Sequence, residues 1–140
     1  MAEEMRSPIE SGCPDAFQYM HPLMRKNYGQ WAYHEDIRPG VLVHVSNNGD
    51  KIFTVRAGTQ RILDLFTLRK LCDIGDEYGE GYIHFTIRSN IEYQLADEAK
   101  VEPLIKKLED EGFIVGGTRN SVTMISHTQG WLHCDIPGTD

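Results

Sequence analysis

The stretch YIHFTIRSNIEYQL, residues 82–95, decides the fold of this chain. Apolar and polar residues alternate on both sides of a central Arg-Ser-Asn, with the period of two expected for half-buried strands. We interpret Tyr82–Ile87 and Ile91–Leu95 as paired strands joined by a three-residue loop. Their apolar faces coincide when Ile87 lies opposite Ile91. A slip of one residue would move a glutamate and a glutamine into the core.

Two further strands precede this hairpin. Val41–Val45 and Lys51–Ala57 flank the turn signal 47–50, Asn-Asn-Gly-Asp, in which Asn-Gly favours positive φ. The odd positions of the second strand are apolar and form one face. Thr54 and Arg56 lie on the other face.

Helical periodicity separates the strands. Thr67 is suited to cap a helix that ends near Tyr78, and Cys72 falls on its apolar stripe, where we expect a buried small hydrophobe. Asp97 is suited to cap a second helix, and residues 113–115 form a final short strand. After the Asn-Gly turn the order is strand, helix, strand, strand, helix, strand. We therefore predict an α+β, ferredoxin-like βαββαβ half-domain.

The two ends of the chain differ from this middle part, which we place at residues 41–116. Residues 1–40 lack clean periodicity but contain prolines and recurring aromatics, so we expect an arm that lies on another surface. Residues 117–140 contain Trp131 and Cys134, which are unusual near a chain end. We interpret them as the start of a further domain in a longer protein; a tail docked by Trp131 is the alternative.

Composition excludes several classes of protein. The 140 residues carry 14 basic and 21 acidic side chains, and a net charge of -7 disfavours nucleic-acid binding. No apolar stretch is long enough for a membrane span, and the polar start lacks the features of a signal peptide, so we expect a cytoplasmic protein. Three scattered cysteines disfavour a disulfide scaffold and form no complete metal site.

Arginines give the main chemical signal. Neither predicted helix covers the sheet face of Thr54, Arg56, His84 and Thr86, so we expect it to face solvent, the arm or another domain. Guanidinium groups match the geometry of carboxylates and oxyanions. Pairing with surface acids explains any single arginine equally well, whereas Arg61 together with Thr86-Arg88-Asn90 predicts an anion site.

Several segments together resemble the beta subunits of dissimilatory sulfite reductases, in the siroheme nitrite/sulfite reductase family. The similarity extends from about residue 20 to residue 140, and residues 8–28 and 135–138 are similar in particular to the reverse-acting, oxidative branch. The segments that carry the resemblance are Lys51–Arg61, Leu71–Ile74, Phe85–Glu92 and His127–Cys134.

The resemblance implies an enzyme that interconverts sulfite and sulfide by multi-electron transfer. Its cofactors would be siroheme and a [4Fe–4S] cluster, coupled through a bridging cysteine. Its partners would be an alpha subunit, in an α2β2 heterotetramer, and a small sulfur-carrier protein. The physiological direction stays open, and the 140-residue chain alone is expected to be inactive.

The resemblance also implies residue roles. Cys134 would be the first cluster ligand, and Arg61 and Arg88 would act on the reacting anion. Ser89 departs from the pattern, since many members carry Asn there, but a hydroxyl can serve the same loop. The implied siroheme contacts are Arg56, Arg61, Thr86, Arg88, Asn90, His127, Thr128 and Gln129.

Two other functions fit the same residues. An assimilatory sulfite reductase or a nitrite reductase would share the cofactors. A non-enzymatic binding module is also compatible, because the ferredoxin-like fold hosts many functions.

Overall fold

An antiparallel sheet with two helices on one face organises the described part of the chain. The computed structural model describes residues 12, 15–60 and 62–119. The sheet has the order β1-β2-β3-β5-β4. Its strands are β1 (Trp31–Arg38), β2 (Val41–Ser46), β3 (Lys51–Gly58), β4 (Ile83–Phe85) and β5 (Asn90–Leu95). The helices are α1 (Pro22–Lys26), α2 (Leu65–Tyr78) and α3 (Val101–Asp110), with short 3-10 turns at Ala16–Tyr19 and Glu98–Lys100.

The core lies between α2, α3 and the central strands. Phe53 lies opposite Leu95, and Val55 lies opposite Tyr93, so the alternating residues of β3 and β5 share one buried face. The Tyr93 hydroxyl donates to the Leu71 carbonyl at 3.0 Å, and burial raises the pKa of this hydroxyl. The α+β ferredoxin-like prediction is confirmed. The remaining core residues are Val41, Val43, Val45, Ala57, Ile74, Ile91, Val101, Leu104, Ile105 and Leu108.

Two strands differ from the sequence expectation. Residues of the predicted arm form β1, which pairs with β2. Six of its eight residues are exposed, so it carries no alternating pattern to detect. The predicted final strand is reduced to one bridge, Val115 to Ala57. The same edge of β3 is already occupied by β2 as far as Val55, which leaves little strand to pair with.

The hairpin between β4 and β5 has the predicted loop length but a different register. Phe85, not Ile87, lies opposite Ile91. Ile87 is instead 97% exposed, and the loop consists of residues 87–89. The Thr86 amide donates to the Asn90 carbonyl at 2.9 Å and closes the loop, in which Ser89 takes the left-handed position, with φ of 60°. The register differs by two residues from the predicted one. The apolar residues of the two strands still share one face, because Phe85 and Ile87 lie on the same side of the strand.

Two predictions about α2 are wrong. Asp64 is the N-cap, and its Oδ1 accepts from the Thr67 amide at 2.8 Å. Cys72 is exposed, because the buried stripe is centred on Leu71 and Ile74, and each residue turns the helix by about 100°.

No helix in the described part of the chain has the length and apolarity of a membrane span.

The segment before β1 is attached to the rest of the fold by buried polar side chains. The buried His21 has its Nε2 2.8 Å from Glu80 Oε2. The buried Asn27 donates from Nδ2 to Asp50 Oδ2 at 2.9 Å, in the β2–β3 turn. This segment therefore contacts both the loop between α2 and β4 and the β2–β3 turn.

A close approach of two glycines holds the end of the described chain. Gly40 has φ of 82°, and a Cβ built there would lie 2.5 Å from the Gly116 nitrogen. The Gly40 amide donates to Thr118 Oγ1 at 3.0 Å. Its carbonyl accepts from the Arg56 amide at 2.8 Å, while the Gly116 amide donates to the Arg56 carbonyl at 3.1 Å. The contact thus positions Arg56 from both sides.

Gly40→Ala is expected to lower the free energy of unfolding more than Gly49→Ala does. Gly49 has a similar φ of 88° but open space around its Cβ position. Both variants incur the left-handed strain, about 1–2 kcal/mol, and only Gly40→Ala adds overpacking, about 1–3 kcal/mol. Urea unfolding of both variants measures the difference, and equal losses would contradict the close approach.

A charged cluster joins the two helices. Glu111 accepts from Lys70 of α2 at 2.8 Å and from Lys107 of α3 at 2.5 Å. Hydrogen bonds from Lys107 and Lys70 lower the pKa of Glu111 to about 2.

The cluster predicts a specific acid sensitivity. Because the folded pKa of Glu111 is lowered, its stabilising effect is complete above the unfolded pKa and is lost as the pH falls towards 2. Glu111→Gln should therefore be less stable than the wild type near neutrality and converge with it in acid. Asp110→Asn is the control, since Asp110 pairs with Lys106 within the same helix. A stability difference that is constant across this pH range would contradict the assignment.

Candidate anion-binding site

The sheet face away from α2 and α3 is partly buried. We expected this face to meet solvent, the arm or another domain, and Thr54 on it is buried together with Glu92 and Asn90. The His21 ring packs against the Tyr82 ring at 4.8 Å, so the arm contacts this face at one end. Arg119 forms an ion pair with Asp36 of β1 at the far edge. This face is therefore contacted at its two edges, and it combines buried polar residues with the buried apolar side chains of Leu42 and Ile52.

A row of three charged or titratable side chains crosses this face. Arg56 of β3 and His84 of β4 are both directly opposite Glu92 of β5. Arg56 Nε lies 2.5 Å from Glu92 Oε2, and His84 Nδ1 lies 3.1 Å from Glu92 Oε1. The side chain of Glu92 is 5% exposed, compared with 25% for Arg56 and 50% for His84. Glu92 is thus a buried carboxylate with a partner on each oxygen.

These contacts set the protonation of the row. Burial alone would raise the pKa of Glu92, but hydrogen bonds from His84 and Arg56 outweigh it and lower the pKa. The hydrogen bond to Glu92 raises the pKa of His84 against opposing effects of burial and Arg56. The neighbouring His44 behaves differently, because its burial lowers its pKa. Near neutral pH the row therefore holds an ionised carboxylate, an arginine and an easily protonated histidine.

The hairpin loop supplies a second group of polar side chains. Thr86 and Asn90 close the loop, and Thr86 Oγ1 accepts a hydrogen bond from the backbone N–H of Asn90 at 3.2 Å. Arg88 is half-buried, and its Nη2 donates to the Gly117 carbonyl. This contact orients the guanidinium, and a neutral carbonyl does not cancel its charge.

Asn90 is the best evidence for a ligand. It is 1% exposed, yet among the described residues neither its Nδ2 nor its Oδ1 has a hydrogen-bond partner. The buried hydroxyl of Thr54, on the same face, also has no hydrogen-bond partner among the described residues. An unpartnered buried polar group costs about 1–3 kcal/mol. A polar ligand that reaches this face would offset that cost.

The structure thus brings four of the predicted residues together: Arg56, Thr86, Arg88 and Asn90. The other predicted site residues, Arg61, His127, Thr128, Gln129 and Cys134, lie outside the described residues. In the described part of the chain no three metal-ligating side chains cluster. Glu92 and His84 were not predicted as site residues, although the alternation in β5 already places Glu92 on the same face as Arg56.

Comparison with known proteins now adds the family. Residues 44–111 match the model of the nitrite/sulfite reductase ferredoxin-like half-domain. Three relatives are each described as the beta subunit of a dissimilatory-type sulfite reductase. The one from Archaeoglobus fulgidus is 44% identical over 92% of this chain and 37% of its own length. That from Nitratidesulfovibrio vulgaris is 45% identical over 88% of this chain and 34% of its own. That from Megalodesulfovibrio gigas is 39% identical over 99% of this chain and 56% of its own.

The matched region coincides with the structural unit that carries the site. Residues 44–111 run from β2 through α3 and include the Arg56–Glu92–His84 row and the hairpin loop. The chain spans about a third to a half of the length of these relatives. Residues 44–111 are thus a nitrite/sulfite reductase ferredoxin-like half-domain, and the chain is a homologue of the beta subunits of dissimilatory-type sulfite reductases.

Proposed function

We propose that this chain is part of the beta subunit of a dissimilatory-type sulfite reductase. In this proposal it works with an alpha subunit, in an α2β2 assembly in the cytoplasm, and interconverts sulfite and sulfide. A small sulfur-carrier protein would be a further partner. The observation that carries the proposal is the buried side-chain amide of Asn90, which has no partner among the described residues and follows Arg88 by two positions in the matched half-domain.

The residues of this face fit the cofactor that the family implies. Siroheme presents many carboxylates and would supply the electron transfer at the reacting anion when it is bound. Thr86, Arg88 and Asn90 offer a hydroxyl, a guanidinium and an amide within one short loop. By resemblance, Arg61 and His127, Thr128 and Gln129 would complete the siroheme contacts. Cys134 would bind the [4Fe–4S] cluster, with the other ligands supplied elsewhere.

The chain's own part in the chemistry is binding and orientation. Arginine stays protonated at any working pH, so Arg88 can attract and orient an anion without giving up a proton. Its contact with the Gly117 carbonyl holds the guanidinium before a ligand arrives. Such preorganised charge stabilises an anionic reactant without reorganisation. Arg61, to which the resemblance gives a role on the same anion, would act in the same way.

Cofactor loading tests the proposal directly. The full-length beta subunit, produced anaerobically with its alpha partner, should show siroheme absorption and reduce sulfite. Cys134→Ser should lose cluster iron, because a cluster ligand cannot be replaced by a hydroxyl without weakening the site. A complex without siroheme would favour the non-enzymatic module, and turnover of nitrite but not sulfite would favour a nitrite reductase.

Arg88→Ala is expected to impair turnover more than folding. The variant removes a cation from the anion site, so sulfite turnover should fall by about 10²-fold or more. Loss of one contact to a carbonyl should cost about 1 kcal/mol of stability. Arg25→Ala is the matched control, since Arg25 also donates to a backbone carbonyl, that of Met20, at an exposed position. Equal turnover in the Arg88 variant and this control would rule out the role.

A further inference from the structure

The row of Arg56, Glu92 and His84 has the geometry of a proton-carrying unit. We propose that Glu92 is a positioning residue that orients His84, and that Nε2 of His84 delivers protons to the oxyanion bound on this face. The inference rests on the proposed function, because it names a second role for the same site. It gives a function to Glu92 and His84, which anion binding itself does not require.

Geometry fixes the roles of the two ring nitrogens. His84 Nδ1 lies 3.1 Å from Glu92 Oε1, so this nitrogen carries the hydrogen of the contact. The acidic partner thereby sets the tautomer and the ring orientation and leaves Nε2 as the exchanging nitrogen. Arg56 occupies the other oxygen of Glu92 at 2.5 Å, which keeps the carboxylate ionised and in place.

The solvent exposure of His84 allows it to be reprotonated. The His84 side chain is half exposed, whereas that of Glu92 is almost fully buried. Water can therefore reach the imidazole ring and replace a proton that it has lost. Glu92 itself is shielded from exchange and serves as a fixed negative charge.

The charged groups around His84 favour its protonated form. Glu92 faces it from β5 and raises its pKa, while Arg56, from β3, opposes this more weakly. On β2, burial lowers the pKa of His44, so that this histidine is protonated less readily than His84 and holds a proton to donate less often. Tyr82 precedes His84 on the same strand face and packs on His21 of the arm. His84 is thus the group of this row best suited to donate near neutral pH.

The proposed step moves one proton and no electron. Reduction of sulfite removes its oxygen atoms as water, and each removal consumes protons. The Nε2–H bond of the His84 imidazolium breaks, the proton joins an oxygen of the bound anion, and a neutral imidazole remains with its Nδ1–H on Glu92. Bulk water then reprotonates Nε2. Arginines cannot take this part, because they do not release protons.

The first test is independent of turnover. In the 140-residue chain, an NMR pH titration should place the pKa of His84 above its ordinary value, and Glu92→Gln should lower it. Glu102→Gln is the control, since Glu102 pairs with Arg38 at an exposed position remote from His84. If the His84 titration is the same in wild type and Glu92→Gln, the positioning role of Glu92 is overturned.

The second test uses the assembled enzyme with its alpha subunit. Wild-type kcat should fall as the pH rises through the His84 pKa, and in Glu92→Gln this fall should move to lower pH. His84→Gln should lower kcat by about 10²-fold at unchanged KM and remove this limb of the pH profile. Siroheme content and the melting temperature, measured for each variant, separate this effect from misfolding.

The outcomes distinguish the two proposals. A loaded His84→Gln enzyme with wild-type kcat and an unchanged pH profile would overturn proton delivery while leaving anion binding by Arg88 intact. An enzyme that never turns over sulfite would overturn the proposed function and, with it, proton delivery. The titration would then still decide whether Glu92 positions His84.

Discussion

The register of β5 is the constraint on which both the core and the site depend. Its odd residues, including Ile91 and Tyr93, are buried against the helices, so Asn90 and Glu92 must lie on the opposite face. The same alternation that fills the core therefore delivers a carboxylate and an amide to the site. A slip of one residue would bury Glu92 in an apolar core and remove Ile91 from it, and both changes would be costly.

The folded structure tolerates the buried carboxylate of Glu92 because its partners come from both neighbouring strands. A lone carboxylate would be strongly destabilising here, but Arg56 on one side and His84 on the other hold each oxygen. The three strands are thus tied by side chains as well as by their backbone. This explains why Arg56, which the sequence analysis treated as a siroheme contact, is found in an internal ion pair. Its role in cofactor binding stays a prediction.

Much of the fold was predictable because periodicity records burial. The β3, β5 and helix patterns were detected since each has one buried face, whereas β1 is exposed on both sides and left no pattern. The burial of Cys72 was wrongly predicted, because helical spacing alone does not define the edge of the buried stripe to within one residue. In the site, residue types predicted an anion site, but the partners of each arginine depend on strand register. Arg61, His127, Thr128, Gln129 and Cys134 remain predictions from resemblance.

Net charge is a poor guide to what this face can bind, because the arginines differ in how far their charge is cancelled. Arg56 and Arg119 are matched by Glu92 and Asp36, so neither adds much positive potential. Arg88 contacts a neutral carbonyl, which does not cancel its charge, and Asn90, two positions later, has a side-chain amide without a partner in the part of the chain that the structure describes. An acidic chain can therefore present a cationic, hydrogen-bonding spot, because anion affinity depends on local compensation over a few ångströms, and more distant surface charges are screened.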